Sequence, residues 1–270
     1  MSTDPDQVTE RRALGTLPDI PGWAPWPVPT VLETTGSTMV DVEELAAAGA
    51  PEGSVVVAEE QTAGRGRRGR PWESARYAGL WSSLLLRPAS PPEEVSWLPL
   101  VVGVGIARAL RSVSSLPAVV KWPNDIVVLA SDEAEPPRKL AGILAERLSD
   151  GSVVVGMGIN VDHARGELPP GGTSLRLECG PVSREDVLVA VLSEVATAYR
   201  AWANGADAAT DYATYSATLG RRVRVQTPVG DVVGIASGLG PHGELRVVDS
   251  EGQEHAITAG DVVHLRPAEG

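Results

Sequence analysis

Phenylalanine is absent from the 270 residues, lysine occurs only as Lys121 and Lys139, and cysteine only as Cys179. A single cysteine excludes an internal disulfide. The four histidines, His163, His242, His255 and His264, show no metal-ligand spacing. No apolar stretch reaches the ~18 residues of a membrane span before Gly, Pro, Ser or a charge interrupts it, so no membrane anchor is expected. The first thirty residues lack a basic start followed by an apolar run, which predicts no secretory signal and a cytoplasmic protein. Positive charge is scarce too: 23 Lys and Arg against 35 Asp and Glu leave a net charge of −12. That balance opposes non-specific binding to nucleic acid or anionic lipid, so any anion must be met by a local basic patch.

What is present describes an ordinary globular chain. Hydrophobic residues at 43% and charged residues at 21% argue against disorder and against a coiled coil. The length leaves room for one large domain and one small. Residues 1–29 are polar and then Pro-rich, with Trp23 and Trp26, and are expected to form an irregular extension on the surface. Between 30 and 217 the pattern predicts strands at 54–59, 80–86, 118–121, 126–129, 140–146 and 152–159. It predicts helices at 39–48, 93–113, 183–202 and 207–217, with Ser37 as an N-cap and Pro99 as a kink. From 218 to 270, five short strands separated by turns suggest a small barrel.

Three stretches carry chemistry. Gly64-Arg65-Gly66-Arg67-Arg68-Gly69 formally matches the dinucleotide fingerprint, but Arg70-Pro71-Trp72 follows where a helix should open, and no acidic residue stands at a strand end some 20 residues on. A P-loop is excluded because neither lysine follows a glycine. What remains is a glycine loop with four arginines, a solvated turn or a clamp for a phosphate or carboxylate. In Lys121-Trp122-Pro123-Asn124-Asp125, the proline and Asn-Asp pair predict a strand junction that presents polar groups in fixed directions. Lys139-Leu140-Ala141-Gly142-Ile143-Leu144 and Gly156-Met157-Gly158-Ile159-Asn160 place bare positions in two strands, as tolerated bulges or as the floor under a flat ligand.

In this order, and together with Glu33-Thr34-Thr35-Gly36-Ser37-Thr38 and Gln61-Thr62-Ala63 ahead of the arginine loop, these stretches resemble the biotin protein ligase family. The resemblance implies an α+β fold: a central mixed sheet packed by helices, like that of class II aminoacyl-tRNA synthetases and biotin ligases, with a small C-terminal SH3-like β-barrel. It also implies condensation of biotin with ATP, carried with Mg²⁺, to biotinyl-5′-AMP. Transfer of biotin to a lysine of the biotin carboxyl carrier protein domain of an acyl-CoA carboxylase would follow. The resemblance assigns biotin to Ser37, Thr38, Gln61, Gly64, Ser83, Gly142, Leu144, Gly156 and Gly158. Arg65, Arg67 and Lys139 would meet the carboxylate and α-phosphate. Arg68, Arg70, Trp72, Lys121, Asn124 and Asn160 would serve the nucleotide, with Trp72 packing on adenine, and Asp125 would orient or deprotonate the acceptor lysine. No metal ligand from protein side chains is expected.

Met39 departs from the family, which has Asn after Ser-Thr, and loop 130–138 is longer than usual. Many relatives begin with a winged helix-turn-helix, which 29 Pro-rich residues cannot form, so the expected form is the enzyme alone, without DNA binding, as a monomer or weak homodimer. The alternatives are a lipoate or octanoate ligase or transferase of the same fold, for which Cys179 must be weighed, and a non-catalytic biotin sensor.

Overall fold

A computed structural model describes residues 11–15, 17–89, 91–132 and 135–265. Seven strands, β1 (Thr30–Leu32), β2 (Val55–Ala58), β3 (Gly79–Leu86), β4 (Val119–Lys121), β5 (Asp125–Val128), β6 (Arg138–Arg147) and β7 (Val153–Asn160), form one sheet in the order β1-β2-β3-β7-β6-β5-β4. β1 runs parallel to β2 and the other pairs are antiparallel, so the sheet is mixed as expected.

Side-chain alternation decides what packs on each face. Leu84 and Leu86 of β3 join Val153 and Val155 of β7 under helices α2 (Leu98–Ser114) and α4 (Arg184–Ala203), while Leu85 and Val154 turn the other way, onto α1 (Thr38–Ala47). β3 is therefore buried along its whole length. α1 is short and covers only part of its face, and the uncovered part is the floor of the site.

Pro99 does not kink α2. The helix starts at Leu98, so Pro99 falls in the first turn, where its missing N–H goes unused, and residues 92–97 form a separate 3-10 turn. The stretch 93–114 is apolar and long enough to cross a membrane by length and composition, and it is largely buried; eleven residues of α2 are buried. Ser183 and Asp207 cap α4 and α5 (Ala208–Tyr215) through their side chains. The sequence pattern missed α3 (Leu175–Cys179), whose five residues are too few to show a period, although Ser174 caps it.

The tail folds as β8 (Arg222–Thr227), β9 (Gly230–Leu239), β10 (Leu245–Val248), β11 (Glu254–Ile257) and β12 (Asp261–His264), an antiparallel sheet in the order β11-β10-β9-β8-β12. It docks through indoles of the larger unit: Trp122 Nε1 donates to the Gly243 carbonyl at 3.1 Å and Trp97 Nε1 to that of Pro241 at 2.8 Å.

The described part of the N-terminal extension has no helix or strand, as expected, but it is not a mere surface layer. Leu14 and Trp23 are buried in the main core, and Arg200 of α4 donates to the carbonyls of Gly22, Trp23 and Ala24. Buried apolar side chains outweigh the absence of regular structure. Residues 1–10 and 16 lie outside the description.

Candidate active site

A cleft of about 600 Å³ opens on the sheet face that α1 leaves bare. Its floor comes from register: Gly142 of β6 stands opposite Gly158 of β7, which stands opposite Trp81 of β3. The loop after β2 lays Trp72 on this floor. A Cβ built on Gly158 would stand 2.5 Å from Trp72 Cε2, and one on Gly142 2.7 Å from its Cζ3, so neither position admits a side chain with Trp72 in place. A Cβ on Gly156 would meet Met39 Sδ at 2.9 Å. Met39 therefore enters the cleft as an apolar wall, where the family's Asn would be polar.

One end of the cleft is neutral and polar. Thr38 Oγ1 lies 3.1 Å from Gln61 Oε1 and 2.8 Å from Ser83 Oγ, and Gln61 Nε2 donates to Ser74 Oγ at 2.9 Å. Ser37 is the N-cap of α1 by position, but its hydroxyl does not cap; it is buried, lines the cleft and has no hydrogen-bond partner. A buried orphan hydroxyl costs stability unless something in the cleft meets it.

The other end is cationic. Lys139, at the start of β6, pairs with Asp125 of β5 at 2.7 Å and sits 5.2 Å from the Trp72 ring centroid. Arg67 donates to Asn124 Oδ1 at 3.0 Å, and Asn124 Nδ2 donates to the Ile143 carbonyl at 2.7 Å. Asn124 is thereby a holder of Arg67, standing at the junction after the cis Trp122–Pro123 peptide. Burial pushes both Arg67 and Lys121 below their ordinary pKa values, with Asp261 pulling back for Arg67 and Asp125 for Lys121. A cluster of half-buried cations disfavoured in this way is stabilised by any anion that enters.

The arginine loop is a tight turn with no helix after it. Gly66 N donates to the Arg70 carbonyl and Trp72 N to that of Gly64. The absence of that helix agrees with setting the dinucleotide fingerprint aside. Arg65, which lines the cleft, pairs with Glu43 at 3.1 Å and Glu146 at 3.5 Å.

Of the residues singled out, Ser37, Thr38, Gln61, Arg65, Arg67, Arg70, Trp72, Ser83, Lys121, Asn124, Asp125, Lys139, Gly142, Leu144, Gly156, Gly158 and Asn160 line this cleft. Gly64 and Arg68 do not. Gly64 is bare because the Trp72 backbone crosses it, and Arg68 points to Asp261. Sequence reasoning missed Asp261 of β12, which meets Arg67 at 3.6 Å and Arg68 and Arg70 at 3.0 Å. It also missed His163 and the wall from Glu167 to Gly172. Asp261 lies some 190 residues from the loop and carries no local signal. The wall follows Asn160 directly, and its Pro-Pro-Gly-Gly run was the available hint. Among the described residues no three His, Cys, Asp or Glu side chains gather as metal ligands.

The model of the biotin/lipoate A/B protein ligase family matches residues 31–163, and that of the biotin protein ligase C-terminal domain matches 218–265. A biotin–[acetyl-CoA-carboxylase] ligase of Mycobacterium tuberculosis is 38% identical over 250 residues, covering 89% of this chain and 90% of the relative. One of Paracoccus denitrificans is 31% identical, covering 82% and 91%. A biotin protein ligase of Aquifex aeolicus, solved in complex with biotin and ATP, superposes with a TM-score of 0.74 at 29% identity, covering 88% of this chain and 99% of its own. With these likenesses spanning both the seven-stranded sheet and the tail, the chain belongs to the biotin protein ligase family.

Proposed function

We propose that the protein activates biotin with ATP to biotinyl-5′-AMP and transfers biotin to a lysine of the carrier domain of an acyl-CoA carboxylase. The observation that supports this most is the polarity of one cleft. A neutral end with the orphan Ser37 hydroxyl suits an uncharged ureido head, and the Arg67–Lys121–Lys139 end suits carboxylate and phosphates.

A carboxylate is a poor electrophile. In this reading its oxygen bonds to the α-phosphorus, the bond to the β-phosphate breaks, and pyrophosphate leaves. Lys139 and Arg67 offset charge growing on the phosphate oxygens. The acceptor amine then attacks the acyl carbon and AMP departs. In this reading Asp125, which pairs with Lys139, holds that lysine first and the acceptor amine second. Trp72 and Asn160 serve the nucleotide; Asn160 is fixed by donating to the Thr173 carbonyl at 2.9 Å. Asp125 and Asp261 both face cations, so magnesium would arrive on the nucleotide rather than in a protein cage.

The transferase alternative needs a reactive cysteine. Cys179 is exposed on α3, bonded to the Leu175 carbonyl, and does not line the cleft. We further propose a cytoplasmic enzyme, monomeric or weakly dimeric, that does not bind DNA. Pyrophosphate exchange into ATP, run with biotin, lipoate, octanoate or no acid, tests the reading. Exchange with biotin alone is expected; exchange only with another acid overturns the substrate, and no exchange overturns the reaction.

A further inference from the structure

Among the described residues, the N-terminal extension meets the wall of the candidate site through Arg11. Arg11 has a side chain only 13% exposed, and its guanidinium donates to the Asp162 carbonyl at 2.7 Å, to Glu167 Oε1 at 2.9 Å and to Glu167 Oε2. Asp162 and Glu167 open the segment 162–173, which supplies His163 and the wall from Glu167 to Gly172 to the cleft. The far end of that segment is tied to the cationic end of the site: Lys139 N donates to the Gly171 carbonyl, Thr173 N to the Lys139 carbonyl, and Asn160 Nδ2 to the Thr173 carbonyl. The near end is held by Arg11 and by Arg176, which pairs with Asp162.

The segment behind Arg11 is anchored to the core. The Arg12 carbonyl accepts from Arg184 Nη1 at 2.9 Å, and Leu14, itself buried, donates its N–H to Glu59. Residues 11–14 are thus pinned to a buried ion pair of the core and present one forked cation to the wall. That cation has a second effect. Glu167 lines a cleft whose proposed nucleotide is anionic, and Arg11 both holds its carboxyl below the ordinary range and neutralises it. Without Arg11 the near end of the wall would keep only the Arg176–Asp162 tie, and Glu167, still accepting from the Ala164 N–H, would turn a carboxylate without its cation toward the phosphates.

We infer that Arg11 is a positioning residue for nucleotide binding, and that the extension is a strap completing the ATP end of the site. This rests on the site reading given above.

The test measures biotin-dependent pyrophosphate exchange and, separately, biotin affinity by calorimetry without nucleotide. Arg11→Ala is expected to raise KM for ATP about tenfold, as loss of a charge-assisted fork would, with biotin affinity within about twofold of the parent. Arg11→Lys should recover part of the loss, because charge returns but the fork does not. Glu167→Gln should raise KM for ATP less, and in the double variant the two effects should not multiply, since both side chains act as one unit. An unchanged KM for ATP in Arg11→Ala overturns the inference, as does an equal fall in biotin affinity or multiplicative effects. Should Arg11→Ala fail to fold, Arg11→Lys and Glu167→Gln carry the same comparison. A parent protein that binds biotin without exchanging pyrophosphate would instead overturn the reaction proposed above.

Discussion

Ser37 and Lys139 show how single side chains divide between stability and function. Ser37 Oγ is buried and unpartnered, so Ser37→Ala removes a desolvated hydroxyl at no cost to the fold. Its thermal midpoint should stay level or rise slightly while KM for biotin rises about tenfold, the value of one hydrogen bond; equal biotin kinetics in the two proteins would remove Ser37 from the site. Lys139 and Arg67 differ because their charge meets the phosphates directly in the proposed reaction. Lys139→Ala and Arg67→Ala should each lower adenylate formation at least about tenfold, measured by pyrophosphate exchange. These residue types were legible in the sequence, since a chain with two lysines placed both beside turns. That Asn124 holds Arg67, and that Arg65 faces Glu43 and Glu146, was not legible, because those partners meet only after the sheet has formed.

Among the elements, β2, α4 and the extension meet at one buried ion pair. Glu59 is 1% exposed and Arg184 7%. Arg184 donates to Glu59, to the Gly79 carbonyl at 3.1 Å and to the Arg12 carbonyl, so its charge is well satisfied. Arg184→Met should cost about 3–5 kcal/mol by leaving Glu59 buried without its cation, and adding Glu59→Gln should restore part of that; urea denaturation of the three proteins reads both. A cost within ~0.5 kcal/mol of zero would show that the pair does not bind these elements together. The same contacts correct the expectation for the extension. Its described residues form no helix or strand, yet Leu14 and Trp23 belong to the core, and Pro-rich texture says nothing about burial.

The whole molecule joins two units across the site. Asp261 of the tail sheet faces Arg67, Arg68 and Arg70, so the tail supplies the counter-charge that holds the arginine loop. Asp261→Ala should expose that loop to trypsin several-fold faster, with cleavage mapped to residues 65–70 and slowed by biotin plus ATP; an unchanged nicking rate would mean that the loop's own turn suffices. Acid should weaken both units together. Burial lowers His163, in the cleft wall, and His264, on β12, to about 4. An unfolded histidine protonates near 6.5 while these stay neutral, so the unfolded chain binds more protons between pH 6.5 and 4. Their contribution is then complete above 6.5 and is lost as pH falls, by up to about 3 kcal/mol per histidine at pH 4. Urea midpoints across this window should fall, and His163→Gln with His264→Gln should flatten the slope.

The sequence by itself determined the strands and longer helices, the turn chemistry, and the set of glycines, arginines and lysines from which the family could be read. All of these depend on period, propensity or motif within a few residues. Tertiary structure alone decided that Gly142 and Gly158 lie side by side beneath Trp72 and that a carboxylate of the tail faces the arginine loop. It alone decided that Arg11 reaches across the chain to Glu167. Those pairings are fixed by strand register and by burial among residues far apart in sequence, and no local pattern records either.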